Sequence, residues 1–325
     1  MNSTSRRRFL GLAGAALATP ALPRLGAAQS WPSKPIRAII PFSAGSTVDI
    51  IGRIVAEPLA AQLGQPVVIE NRGGAGGTIG TYMVAQAPAD GHTILIHASA
   101  HSAAPAAYPK ASYDTANDFS GVALFGSVPN VTVIAPSKGI KTLQELVEAG
   151  KKGKLTFASA GVGSATHWAA ERLRLAAGFD ATHIPFRGGP EALTEVMTGR
   201  VDFMSIGISS GLSLIRDGRL IPLAVSTLTR SKALPDVPTT TEAGLKDSDY
   251  TFWNGLLVSS KTPRPIVERL HAEVQKVLAL PSVQQRFAPQ AVEPMPLTPA
   301  EFDALIRKEI AANLAIVKAA NLKFN

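Results

Sequence analysis

Cysteine is absent from all 325 residues, which excludes disulfides, thiol catalysis, a lipid-modified cysteine and cysteine-held zinc. Stability must therefore come from buried apolar surface. Aromatic residues are only 6% of the chain and charged residues 17%. Beyond residue 28 there is no Lys/Arg run and no interleaving of aromatics with basic residues of the sort that single-stranded nucleic acid stacks on, so nucleic acid is not expected as a partner. A continuous apolar stretch long enough to span a bilayer, about 20 residues, is also lacking. The run from Gly11 to Leu22 is short and is interrupted by Gly14 and Pro20.

That run has another meaning. Ser5-Arg6-Arg7-Arg8-Phe9-Leu10 precedes it and Gly26-Ala27-Ala28 follows, the order of basic, apolar and small-residue regions in an export signal. The paired arginines suit the twin-arginine route, with the general route as the alternative. Residues 1–28 are therefore expected to be a cleavable export signal and the remainder to act in the periplasm. Cleavage would remove Arg6, Arg7, Arg8 and Arg24 and no acid, halving the formal net charge of +8. What remains is long enough to bury roughly three quarters of its unfolded surface and to divide into two domains.

Beyond Trp31 one grammar repeats: a short β-branched strand, a Gly/Ser turn, then an amphipathic helix, the pattern of an α/β protein with parallel strands. Strands are expected at Ile36 to Pro41, Val67 to Glu70, Thr93 to Ala98, Leu155 to Ser159, His183 to Phe186 and Val201 to Ile206. Apolar segments at Gly121 to Phe125 and Val131 to Ala135 follow Asp118-Phe119, the second as a crossing strand. Leu220 to Ser226 reads as a strand that Pro222 confines to an edge or a bulge. Helices are expected from Val48 to Leu63, up to Ala87, from the capping box Thr142/Glu145, at Ala165 to Ala177 and at Pro190 to Thr198. Two helices close the chain after the apolar stretch Trp253 to Ser259. The first has Pro265 as its first residue; the second has a capping box at Thr298/Glu301 and Phe302, Leu305, Ile306 and Leu314 inward. With no strands after them, these helices should pack back on the start of the chain. The expected division is 29–129 plus 253–325 as a discontinuous first domain and 130–252 as the second, joined by crossings near Pro129 and Trp253.

Two loops carry the interest. Gly161-Val162-Gly163-Ser164, between a strand and a helix, brings bare amides and a hydroxyl to a positive helix end, which suits an anion. Ser164 equally suits a plain helix cap. The Phe42 to Thr47 loop holds the same place in the first domain, and the two would face a shared cleft. Gly73 to Gly77 lacks dinucleotide-loop spacing, because Ile79 stands where a third glycine would be needed, and reads as a structural loop. His97, His101, His167, His183, Asp202 and Ser164 could suggest a hydrolase, yet H-E-x-x-H, H-x-H and G-x-S-x-G are all missing.

The blocks WPSKPIRAIIPFSAGSTVD, LGQPVVIENRGGAGGTIG, DGHTIL, YDTANDF, GKLTFASAGVGSATHWAAE, HIPFRGG, GRVDFMS, RSKALPDVPTTTEAG and TPAEF resemble, in order and spacing, the Bug-type substrate-binding proteins of tripartite tricarboxylate transporters. The resemblance implies a two-domain periplasmic binding protein fold, type II-like, with a mixed sheet flanked by helices in each domain, a hinge and a deep cleft. It implies no catalysis, no cofactor and no metal, and a monomer that captures a small carboxylate or related solute and passes it to membrane subunits. A solute sensor for a membrane kinase is the alternative, and a periplasmic hydrolase using Ser164 a further one. The implied ligand residues are Phe42, Ala44, Gly45, Ser46 and Asp49; Ser99 and His101; Gly161, Gly163, Ser164 and His167; and the stretch from Asp202 to Ile206. Where the family usually has Phe-Pro-Pro-Gly-Gly, this chain has Phe42-Ser43-Ala44-Gly45-Ser46, a less rigid loop with added hydroxyls. One ligand carboxylate is expected on the amides of Gly163 and Ser164, with Phe42 and Ile206 leaving room for an apolar body.

Overall fold

A computed structural model describes residues 31–322; the expected export signal at 1–28 lies outside them. The chain runs β1 (Ile36–Ile40), α1 (Thr47–Leu63), β2 (Val67–Asn71), α2 (Thr78–Ala85), β3 (Thr93–Ala98), α3 (Ala100–Ala107), β4 (Phe119–Ser127), β5 (Asn130–Ile134), α4 (Leu143–Lys152), β6 (Leu155–Ser159) and α5 (Ala165–Ala177). It continues through β7 (Ala181–Pro185), α6 (Gly189–Met197), β8 (Phe203–Gly207), α7 (Ile208–Arg216), β9 (Ile221–Val225), β10 (Trp253–Ser259), α8 (Arg264–Leu278), α9 (Pro281–Phe287) and α10 (Pro299–Ala319). Among the described residues, no helix is long and apolar enough to cross a membrane.

Two five-stranded sheets result, ordered β2-β1-β3-β10-β4 and β7-β6-β8-β5-β9. In each, strand-turn-helix units give parallel neighbours, β2-β1-β3 and β7-β6-β8. One strand in each, β10 or β5, runs antiparallel to both of its neighbours. Central position shows in burial, since every residue of β5 and β10 is buried. β9 lies at an edge, and Pro222 stands opposite Val133 where the β5–β9 register shifts. A proline has no N–H for an interior ladder, so edge and irregularity together accommodate it. The chain passes between sheets twice, through Val128-Pro129 and through the segment from 226 to 252.

Local signals explain most boundaries. α1 stops at Gly64, whose φ of 68° is a left-handed cap. Both capping boxes form, at Thr142/Glu145 and Thr298/Glu301. Three helices have no counterpart in the sequence reading. α3 (AHSAAPAA) is buried on nearly all sides and so lacks an amphipathic period, α7 follows β8 without a turn residue, and α9 is only seven residues long. Pro265 is the second helical residue of α8, after Arg264. Leu314 is 47% exposed, whereas Phe302, Ile306 and Asn313 are buried. At about 100° per residue, Asn313 falls under Phe302 and Leu314 does not.

α8 packs on α1 and β4, and α10 on α3 and β4, so the last helices cover the first sheet. Phe302 is the anchor: fully buried, edge-on to Trp253 with centroids 5.1 Å apart. It lies so close to Gly121 that a Cβ there would be 2.5 Å from its ring. Phe302→Ala is expected to cost about 3–5 kcal/mol in urea unfolding; a loss below about 1 kcal/mol would show that α10 is not fixed through this ring.

Candidate functional site

The carboxyl ends of β1 and β6 each feed a glycine-containing loop and then a helix. Ser46 stands at the N-cap position of α1 without a side-chain cap bond, and Ser164 caps α5 through its hydroxyl. The first helical residues on both sides, Thr47 and Val48 of α1 and Ala165 and Thr166 of α5, line one cavity. Ala100, the first residue of α3, and Gly189, the first of α6, line it too. Helix geometry leaves first-turn N–H groups without an intrahelical acceptor, and the macrodipole adds partial positive charge there. Four such ends therefore converge on one space. Its other walls include Phe42, Ile206 and Phe252, and among the described residues no charged side chain lines it. Ser46 Oγ is buried with no hydrogen-bond partner.

The loops hold themselves. Asp49 accepts from Gly45 N (2.9 Å), Arg53 Nε (3.0 Å) and Asn71 Nδ2 (2.8 Å), while Asn71 Nδ2 also donates to Phe42 O (3.0 Å). Burial would raise the Asp49 carboxyl, but the Arg53, Asn71 and Gly45 hydrogen bonds outweigh it and hold it below its ordinary range. In the second loop Gly161 N donates to Ser159 Oγ, Gly163 N to His167 Nδ1 and Ser164 N to Gly161 O. Ser164 Oγ accepts from His167 N (3.3 Å) and bonds Thr166 Oγ1 (3.0 Å). The amides of Gly163 and Ser164, expected to seat a carboxylate, are thus already used. The available donors lie one step further on, in the first turn of α5.

Of the expected ligand residues, Phe42, Ser46, Ser164 and Ile206 line the cavity. Gly45 sits against Pro190 of the other half, with a Cβ position 3.6 Å from its ring, and Ala44 is exposed beside it. Gly161 lines an adjoining space that also touches Gly76 and Tyr108. Asp49 acts on the loop, not on the cavity. Ser99 Oγ bonds Tyr250 Oη at 2.9 Å. His101 is a core residue, edge-on to Phe119 at 5.1 Å, and burial pushes it down to about 3. Asp202 is corrected outright: it precedes β8, whose cavity residue Ile206 lies four positions and about 13 Å along the strand. Its carboxylate pairs with Lys138 Nζ (2.6 Å) and accepts from Thr156 N (2.8 Å) and Oγ1 (2.9 Å).

Thr47, Thr166, Gly189, Ser210 and Phe252 line the cavity without having been singled out. Thr47 and Thr166 follow within two residues of the caps Ser46 and Ser164, a legible signal; Ser210 and Phe252 come from distant segments that carry none. Across the cavity the halves touch. Thr47 Oγ1 meets Ser210 Oγ at 2.9 Å and Tyr108 Oη donates to Val162 O at 3.1 Å. Cβ atoms on Gly76, Gly188 or Gly207 would overlap Val162 O, Ser43 Oγ or Thr47 Oγ1 respectively. A Ser164–histidine dyad is not formed, since His167 turns its Nδ1 to Gly163. Among the described residues, no cluster of three or more acidic or histidine side chains could hold a metal ion.

The family model for the tripartite tricarboxylate transporter family receptor matches residues 51–322. Protein BugT of Bordetella pertussis is 32% identical, over 99% of this chain and 99% of its own. The solved periplasmic binding protein BugD superposes with a TM-score of 0.86 at 32% identity, over 90% of this chain and 99% of its own. MatC from Rhodopseudomonas palustris with bound malate superposes at 0.84, also 32% identical, over 88% and 100%.

Asp49→Ala would leave three donors without their acceptor, and is expected to destabilise the chain by about 1.5–3 kcal/mol in denaturant. Because the folded Asp49 is more acidic than its ordinary value of 3.8, its contribution is present above that pH and is lost as pH falls through the folded value. The gap between wild type and variant should therefore close in strong acid; a gap that persists would assign the loss to packing.

Proposed function

We propose that this chain, which belongs to the tripartite tricarboxylate transporter receptor family, captures a small dicarboxylate in its central cavity and delivers it to membrane transporter subunits. Members of the family are periplasmic solute-binding proteins, not enzymes. The observation that carries the ligand reading is the convergence of the first turns of α1 and α5 on one uncharged cavity with a buried, unpartnered Ser46 hydroxyl. Opposed positive helix ends suit two carboxylates, one at each. An ammonium group would find no carboxylate in the lining, which disfavours amino acids. Phe42, Val48, Ile206 and Phe252 supply an apolar belt for the carbon chain. Malate, bound by the similar MatC, has this two-ended form.

Residues 1–28 would export the chain by the twin-arginine route. Residues 29–129 plus 253–325 and 130–252 would then act as two domains that close about the crossings near Pro129 and Trp253. The Thr47–Ser210 and Tyr108–Val162 bonds support the described state as the closed one, which only a ligand touching both halves would favour.

Isothermal titration with C4 to C6 dicarboxylates, matched monocarboxylates and amino acids tests the reading. Dicarboxylates should bind, removal of either carboxylate should cost about tenfold or more, and amino acids should not compete. Binding of amino acids but not dicarboxylates would refute it. Ser46→Ala should weaken dicarboxylate binding by about fivefold. Gly207 has an ordinary φ of −57°, and a Cβ there would crowd Thr47 across the cavity and the Phe252 ring beside it, so affinity should fall in Gly207→Ala. Unchanged affinity would show that closure does not bring these residues together.

A further inference from the structure

The turn that presents α5 is fastened at both ends to an imidazole outside the cavity. At one end Ser159 Oγ meets His183 Nε2 at 2.6 Å and bonds both the N–H and the C=O of Gly161 at 3.1 Å. At the other, Gly163 N–H donates to His167 Nδ1 at 3.0 Å. The two rings come from different elements, β7 and α5, and stack with centroids 3.9 Å apart and planes 11° from parallel. Phe157 of β6 stacks with both. The glycines of the turn have φ of 116° and 72°, a region glycine enters as freely as its other conformations, so the backbone alone does not fix the turn.

We propose that His167 and His183 are a stacked pair of positioning residues that fix the Gly161–Gly163 turn and aim the first turn of α5 into the cavity, and that protonation of His167 releases the Gly163 end. The idea rests on the preceding reading of α5 as a carboxylate site. Acceptance from Gly163 requires an unprotonated Nδ1, so the working His167 is neutral with its hydrogen on Nε2, 3.7 Å from Glu171 Oε1. Protonation would set N–H against N–H and place a cation on a ring stacked at 3.9 Å.

The surroundings allow a proton in while favouring the neutral form. A space open to solvent is lined by His167, His183, Glu171, Arg174 and Asp180. Arg174 is bonded to Glu171 (2.7 Å) and lies 3.6 Å from Asp180, so Glu171 already has a cation and does not need a charged His167. Among the described residues, those after α10 that line this space are Ala320, Asn321 and Leu322, all uncharged. From α3, Tyr108 donates to Val162 O, and burial keeps it protonated. Burial first, then His183 and Arg174, lowers His167 to about 2, and burial lowers His183 to about 4, against an ordinary 6.5. The neutral pair therefore stabilises the fold fully above pH 6.5 and progressively less as pH falls from there, down to about 4 for His183 and about 2 for His167.

Hydrogen–deuterium exchange of the ligand-free chain, followed by titration with malate and adipate, tests this in His167→Leu, His167→Asn and His183→Phe. His167→Leu should speed exchange at Gly161 to Ser164 and weaken dicarboxylate binding, each by about tenfold or more. His167→Asn, whose side-chain carbonyl can accept from Gly163, should recover most of both. Wild-type affinity should drop in acid and that of His167→Leu should respond less. His183→Phe keeps a ring in the stack and tests the Ser159 end, also where His167→Leu does not fold. Unchanged exchange in folded His167→Leu and His183→Phe, or no recovery with asparagine, overturns the proposal. If wild type binds neither acid, the carboxylate reading fails and the exchange data alone decide whether the pair positions the turn.

Discussion

The first turn of an α-helix cannot satisfy its own N–H groups, and most of this molecule is arranged around that constraint. The β1 and β6 units each end a parallel strand in a short loop, so α1 and α5 start at the same edge of their sheets and meet at one cavity. Partial charge from fixed amides costs no side-chain entropy and needs no desolvated cation, which is why the cavity can be free of charged side chains. Everything outward from there is support: Asp49 and Asn71 brace one loop, Ser159, His167 and His183 the other.

Support and contact are kept apart. Polar residues with the greatest chemical versatility, Asp49, His167 and Asp202, spend their hydrogen bonds on backbone and neighbouring side chains. Residues that line the cavity are small or apolar, with serine and threonine hydroxyls the only side-chain donors. Glycines mark where the halves approach each other, and at Gly188 and Gly207 the backbone is not left-handed. Space, not φ, is what requires glycine at those two positions.

The fold was legible wherever period and punctuation agreed: β3, β6 and α5 lie at the residues read for them, and both capping boxes form. α3 was hidden because burial on all sides erases the alternation that periodicity needs. The site was legible as loops but less so as residues. Phe42, Ser46, Ser164 and Ile206 line the cavity, whereas Asp202 failed because a strand carries its two ends to opposite sides of a sheet. Nothing local could mark Phe252 or Ser210, which reach the cavity only through long-range topology.

The position of β10 has a consequence for assembly. The second sheet uses one contiguous stretch of chain, 130–225, and is complete as soon as that stretch exists. The first cannot be: its fourth strand in spatial order, between β3 and β4, is supplied by Trp253–Ser259, and the helices that cover it come later still. Until the C-terminal third emerges, β3 and β4 stand as unpaired edges of the kind that recruit other chains. The order of synthesis thus completes the two halves in reverse, the half that begins the chain being the last to close.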